Sequence, residues 1–174
     1  FHARQGRFRR QAPGLPDRCG RFHGEPHYDK IKPCIIAEKL LDVGEDSFTT
    51  SLVDYKFWCF NGEPKYIWVC WNRTKEFAYV GVYDLEWHYL PEKSVFTDHY
   101  RDGKDTVPRP KYLETMIQIA SKLSEGIPEV RVDLYEFEDK VYFGEMTMTG
   151  NGGYMTHFTQ EFLDELGSYI QLKK

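Results

Sequence analysis

The 174-residue chain is 41% hydrophobic and 16% aromatic, enough for one domain with a core rich in Phe, Tyr and Trp, and too apolar for a disordered polypeptide. No apolar run approaches the roughly 20 residues that cross a bilayer, so no membrane span is expected. The net charge is −4, but Arg4, Arg7, Arg9, Arg10, Arg18 and Arg21 are opposed only by Asp17, which leaves 17 basic against 26 acidic residues beyond position 21. So acidic a body argues against non-specific nucleic-acid binding, and no nucleic-acid partner is expected.

Residues 1–27 are rich in Arg, Gly and Pro and show no period, which reads as a disordered or artefactual basic arm ahead of a folded lobe over 28–174. The first residues lack the apolar core of a signal peptide. Cys19, Cys34, Cys59 and Cys70 form no CxxC pair and lie in or beside apolar runs, so reduced thiols and a cytoplasmic location are expected. Ile31 to Leu41 reads as a short apolar strand running into a polar segment, and 42–50 as a loop.

Leu52 to Phe60 and Lys65 to Trp71 are two strong strands joined by Asn61-Gly62-Glu63-Pro64, and Asn-Gly is the strongest short hairpin signal. Phe77 to Trp87 suggests a less regular strand pair, and Tyr89 to Pro110 is loop-rich. Pro110 opens a helix whose stripe is Leu113, Met116, Ile117, Ala120 and Leu123, ended by Gly126 and Pro128. A second hairpin follows: Val130 to Phe137 and Val141 to Glu145 alternate about the turn Glu138-Asp139-Lys140. Thr149-Gly150-Asn151-Gly152-Gly153 is a flexible turn able to bring backbone close to a ligand. A last amphipathic helix starts near Gln160 with Phe162, Leu163 and Leu166 inward.

The residues that carry chemistry sit on the two hairpins. Asp54 and Lys56 are two apart and share one strand face, and Arg73 follows the second strand. If Phe137 opposes Val141, Asp133 opposes Glu145, and the two carboxylates share a face with Cβ atoms about 5 Å apart. Two such acids repel unless a cation lies between them; an oxygen-only pair suits Mg²⁺, and without metal the pair is expected to be mobile or bridged by water or by a base such as Lys56. Cations on a phosphate chain above a carboxylate-held metal are what phosphoryl transfer requires. Taken singly, Lys56 and Arg73 are ordinary snorkelling surface charges and Asp54 a strand-edge carboxylate.

These words together resemble the TupA-like ATP-grasp family of bacterial envelope-polymer biosynthesis. The likeness runs from Tyr28 to Leu172 and rests on Ile31-Lys32-Pro33, Ile35 to Leu41, Asp54 to Gly62, Arg131-Val132-Asp133-Leu134-Tyr135 and Tyr142-Phe143-Gly144-Glu145-Met146-Thr147. The resemblance implies an α+β fold, the C-terminal catalytic lobe of an ATP-grasp protein, with a mostly antiparallel sheet and helices packed on one side. It implies ATP and Mg²⁺ as cofactors. Ile36, Ala37, Glu38, Lys39 and Leu40, with Leu41, would be the hinge strand facing adenine, Lys56 and Arg73 with Asp54 would serve the phosphates and catalysis, and Asp133, Glu145 and Thr147 would hold the metal. Thr147 stands where many ATP-grasp enzymes carry Asn, and Asn151 is a possible substitute. Cys34 stands where a basic residue is expected.

The implied activity is carboxylate–amine ligation through an acylphosphate, on a carboxylate-bearing envelope or exopolysaccharide precursor. The alternatives are a glycosyltransferase-type polysaccharide biosynthesis protein, for which no Asp-x-Asp-like motif is present, and a non-catalytic nucleotide-binding remnant. The remnant reading follows from residues 1–27, which are too short to supply the N-terminal lobe and its glycine-rich flap. The pattern carries no signal for an oligomeric state.

Overall fold

The computed structural model describes residue 30, residues 37–44 and residues 48–171. The basic arm, the apolar run 31–36, Cys19 and Cys34 lie outside the described residues. The chain divides into two compact units at Ile36/Ala37, and the account below concerns the unit Ala37–Lys174.

The unit is α+β, as the sequence implies. Six strands form one sheet: β1 (Asp54–Phe60), β2 (Glu63–Trp71), β3 (Ala78–Tyr83), β4 (Tyr100–Asp102), β5 (Val130–Phe137) and β6 (Lys140–Thr147). Their order is β4-β3-β2-β1-β5-β6. Every neighbouring pair is antiparallel except β3 with β4. Helix α1 (Leu113–Ser124) separates β4 from β5, and α2 (Gln160–Ser168) follows β6.

Both hairpins turn on two residues. Asn61 and Gly62 have φ of 53° and 93°, and Glu138 and Asp139 have φ of 46° and 59°, the left-handed pairs that match the twist of flanking strands. Both turns are shorter than expected because Glu63, Pro64 and Lys140 belong to strands. Each hairpin then takes up one extra residue in a bulge. In the first, Cys59 pairs with Pro64 but Trp58 with Tyr66, which sets the proline at a bulge, where a strand tolerates it. In the second, Leu134 pairs with Phe143 but Asp133 with Glu145, so Gly144 is the extra residue. A Cβ at Gly144 would lie 2.7 Å from the Tyr135 ring and 3.0 Å from the Asp133 carbonyl oxygen.

The strand pair expected over 77–87 is a single strand. The Asp84 carboxylate accepts the backbone N–H groups of Glu86 and His88 at 2.9 and 2.8 Å, a side-chain turn that competes with the ladder and ends β3. The segment expected to be loop-rich is so, except for the short parallel strand β4. Gly103 follows it against Trp71, where a Cβ would fall 1.9 Å from the indole ring.

The sheet is covered on both faces, so the helices lie one on each side rather than together on one. Tyr55, Phe57, Ile67, Val69, Val132 and Leu134 pack with Leu113, Met116 and Ala120 of α1. Trp58, Phe60, Trp68, Val80 and Val82 pack with Phe158 and with Phe162 and Leu166 of α2. The reason is visible in β1, whose residues are buried at every position: a central strand with apolar groups at 55, 57 and 59 and at 58 and 60 needs cover twice. Edge-to-face rings bind α2 to its face, Phe158 lying 5.1 Å from Phe162 and 5.6 Å from Trp68 between centroids, contacts worth about 1 kcal/mol each beyond burial. Among the described residues Cys59 and Cys70 are buried free thiols, and burial pushes the Cys59 thiol up to about 12.

Candidate functional site

The face covered by α2 is apolar over only part of its extent. Along β1 its residues change from Phe60 and Trp58 to Lys56 and Asp54, and the charged end collects the side chains singled out above. The ladder pairs Lys56 with Asp133 and Trp58 with Arg131, which puts all four on this face.

Lys56 Nζ stands 2.7 Å from Asp54 Oδ2 and donates to Asp133 Oδ2. Arg73 reaches the same Asp54 oxygen at 3.2 Å from just beyond β2. Asp54 bridges the two cations, which do share a face. Lys56 is 6% exposed and Asp133 1%, so Lys56 is a buried charge held between two buried carboxylates, not the surface lysine suggested by its side-chain type. Asp54 Oδ1 is also buried and has no hydrogen-bond partner among the described residues.

Asp133 and Glu145 are direct partners in the ladder, as the hairpin arithmetic expects. The turn is one residue shorter than that arithmetic assumes, and the Gly144 bulge restores the count. The base that joins the two acids is Arg131. Its Nε and one terminal nitrogen donate to Asp133 Oδ1 and Oδ2 at 2.7 and 2.8 Å, and the same terminal nitrogen lies 2.9 Å from Glu145 Oε1 and 3.0 Å from Thr147 Oγ1. Thr147 Oγ1 is 3.4 Å from Glu145 Oε1. Burial works against the Arg131 guanidinium, but the Asp133 carboxylate, with Glu145 and Asp54, outweighs it and raises the arginine's affinity for its proton. A base does bridge the pair, but it is not Lys56, the example named from sequence, which touches Asp133 and Asp54.

Tyr135 also belongs to this neighbourhood. Burial, then the negative charges of Asp54 and Asp133, push its phenol up to about 12, so it stays a hydrogen-bond donor. It lines a cavity of about 670 Å³ with Glu145, Phe143 and Gly144 on one side and Glu38, Lys39 and Leu40 on another. Ile36 lies outside the described residues. Ala37, Glu38, Lys39 and Leu40 are irregular and exposed, so the expected hinge strand is not a strand where it is described, yet it borders the cavity. Asn151 sits apart, with φ of 48° and its amide donating to the Tyr154 carbonyl of its own turn.

Arg131 and Tyr135 were not singled out from sequence. The period-two rule that joins Asp54 to Lys56 applies equally to Arg131 and Asp133, and an arginine two residues from a buried carboxylate is a readable signal. Tyr135 becomes visible only with the bulge that seats it.

The two central hairpins of this α+β lobe thus bring three carboxylates and three cations together beside an open cavity. The chain belongs to the TupA-like ATP-grasp family, whose model matches residues 21–171. It is thereby a protein of the ATP-dependent ligase type. Comparison with curated proteins and with solved structures gave no match. No helix among the described residues is long and apolar enough to cross a membrane.

Proposed function

We propose that this lobe binds ATP and Mg²⁺ and transfers the γ-phosphoryl group to a carboxylate, releasing ADP and giving an acylphosphate from whose acyl carbon an amine or similar nucleophile then displaces phosphate, in the synthesis of a bacterial envelope or exopolysaccharide polymer. The observation that carries the reading is the cluster itself: Lys56, Arg73 and Arg131 balance Asp54, Asp133 and Glu145, and Glu145 also lines the cavity bordered by Glu38, Lys39 and Leu40. Adenine would lie toward Ala37 to Leu41, with Ile36 before them, and the phosphates toward Lys56 and Arg73.

The donor set suits a hard cation. Asp133, Glu145 and Thr147 offer only oxygen, and Glu145 has 63% of its side chain exposed with one oxygen outside its bonds to Arg131 and Thr147. These three residues would hold Mg²⁺, which bound there would neutralise phosphate charge. Lys56 and Arg73 would hold the phosphate chain in line and take up charge passing to the leaving oxygen. Tyr135, protonated, would orient an anionic oxygen at the cavity wall.

Isothermal titration with Mg·ATP tests the reading through Glu145→Gln, an exposed position where the folded state loses little. Weakening by about tenfold or more, the scale of one lost charged contact, is expected. Equal affinity in the variant and the unaltered protein would refute the metal assignment.

A further inference from the structure

We infer that Arg131 occupies the cation position of the acid pair, so that a divalent ion alone is held out and metal and polyanionic nucleotide bind interdependently. This rests on the nucleotide reading above and adds to it a resident counter-ion.

The lone pairs can be counted. A carboxylate oxygen has two. Asp133 Oδ2 accepts from Lys56 and Arg131, and Oδ1 from Arg131 Nε. Three charged donors thus leave one lone pair on a carboxylate that is 1% exposed. The Arg131 nitrogen that touches Asp133 also reaches Glu145 Oε1 and Thr147 Oγ1. It lies among all three oxygen donors that the metal would use, so a dication entering between them meets a guanidinium already there.

Charge balance points the same way. Three carboxylates face three cations, and the Arg131 side chain is only 13% exposed. A lone dication would leave two positive charges uncompensated in a half-buried site, where screening is weak. A triphosphate entering with it supplies the missing negative charge and competes for the guanidinium, to which phosphate binds as readily as carboxylate. The coupling is reciprocal: the factor by which nucleotide tightens metal is the factor by which metal tightens nucleotide.

The test uses Mn²⁺ as the probe, followed by the loss of its free-ion electron paramagnetic resonance signal, with and without a non-hydrolysable ATP analogue. In the unaltered protein the analogue is expected to tighten Mn²⁺ by about tenfold or more, the ordinary scale of coupling. Arg131→Gln is expected to tighten free Mn²⁺ by a similar factor without nucleotide, and adding Glu145→Gln to it should abolish the gain. Equal Mn²⁺ affinity with and without bound analogue, or no gain in a folded Arg131→Gln, would overturn the inference. Should Arg131→Gln fail to fold, Arg131→Lys is measured in its place: it keeps the charge but not the fork that reaches Asp133, Glu145 and Thr147 together, so a smaller gain in free Mn²⁺ affinity is expected and no gain overturns the inference. If the analogue does not bind but Arg131→Gln still gains Mn²⁺, the nucleotide reading fails while the counter-ion role stands; if the analogue binds with Mn²⁺ and the gain is absent, the reverse holds.

Discussion

Replacing Lys56 with Met removes one charge and keeps most of the stem. Lys56 is 6% exposed, its ammonium 2.7 Å from Asp54 and hydrogen-bonded to Asp133. Breaking a buried ion pair by deleting one partner costs about 3–5 kcal/mol, because the other charge is left without its counter-ion. Here Asp133 keeps Arg131 and Asp54 keeps Arg73, which places the loss at about 3 kcal/mol, the lower end of that range. With a urea m-value of about 2 kcal/mol per molar, the midpoint should fall by about 1.5 M at unchanged slope. Adding Asp133→Asn should cost less than the two single losses together, by about 1 kcal/mol, since the substitutions share one interaction. A midpoint shift worth less than about 0.5 kcal/mol, the usual size for a surface charge, would refute the argument, as would strict additivity of the pair.

Three further outcomes are expected. Gly144→Ala drives a methyl to within 2.7 Å of the Tyr135 ring; it should cost about 1–3 kcal/mol by denaturation, as overpacking does, and a variant as stable as the parent would show that Tyr135 moves freely. Phe162→Ala, which empties a site 2% exposed against Phe158 and Tyr66, should cost about 3–5 kcal/mol in chemical denaturation; a loss under about 1 kcal/mol, the mean for any substitution, would mean that α2 does not seal this face. His157 stacks on Trp68 at 4.3 Å, and burial, then the charge of Arg131, push its imidazole down to about 4. The unfolded chain therefore takes up this proton first, near 6.5, and stability is lost as pH falls from about 6.5 to about 4, by at most about 3–4 kcal/mol. His157→Phe should flatten the stability–pH curve in that window, and an unchanged slope would remove His157 as its cause.

Much of this fold is written in local signals. Asn61-Gly62 and the alternation of β5 and β6 are short-range, and both hairpins form where they are expected. The helix stripe is legible for the same reason, except that Leu123 is 37% exposed while Ser124 beyond it is buried: the buried face runs through 113, 116, 120 and 124, and the small hydroxyl residue, not the leucine, takes its last place. Helix placement was not legible, because β1 is apolar on both faces and hydrophobicity alone does not say which helix covers which. The pairing of Asp133 with Glu145 was legible only through the total count between them: the shorter turn and the bulge are opposite departures that cancel. Burial of Lys56 was hidden because it depends on Asp133, 77 positions away, and on the docking of β1 against β5. The hinge expectation failed as a strand where described and kept only its place beside the cavity.

The seam between β1 and β5 joins two hairpins that each carry part of the cluster. The first brings Asp54, Lys56 and Arg73, a net positive set; the second brings Arg131, Asp133 and Glu145, a net negative one. Each hairpin closes over a few residues and forms within microseconds, whereas their union is long-range and slow. The two halves therefore meet as oppositely charged surfaces while still hydrated, and their attraction acts over a Debye length of about 8 Å at physiological salt. Added salt should therefore slow the closing of the sheet more than it speeds the opening of the finished, half-buried cluster, which stopped-flow refolding and unfolding at two ionic strengths would measure. On this account the cluster proposed to handle phosphates would also guide the assembly of the sheet, and refolding rates independent of ionic strength would refute that role.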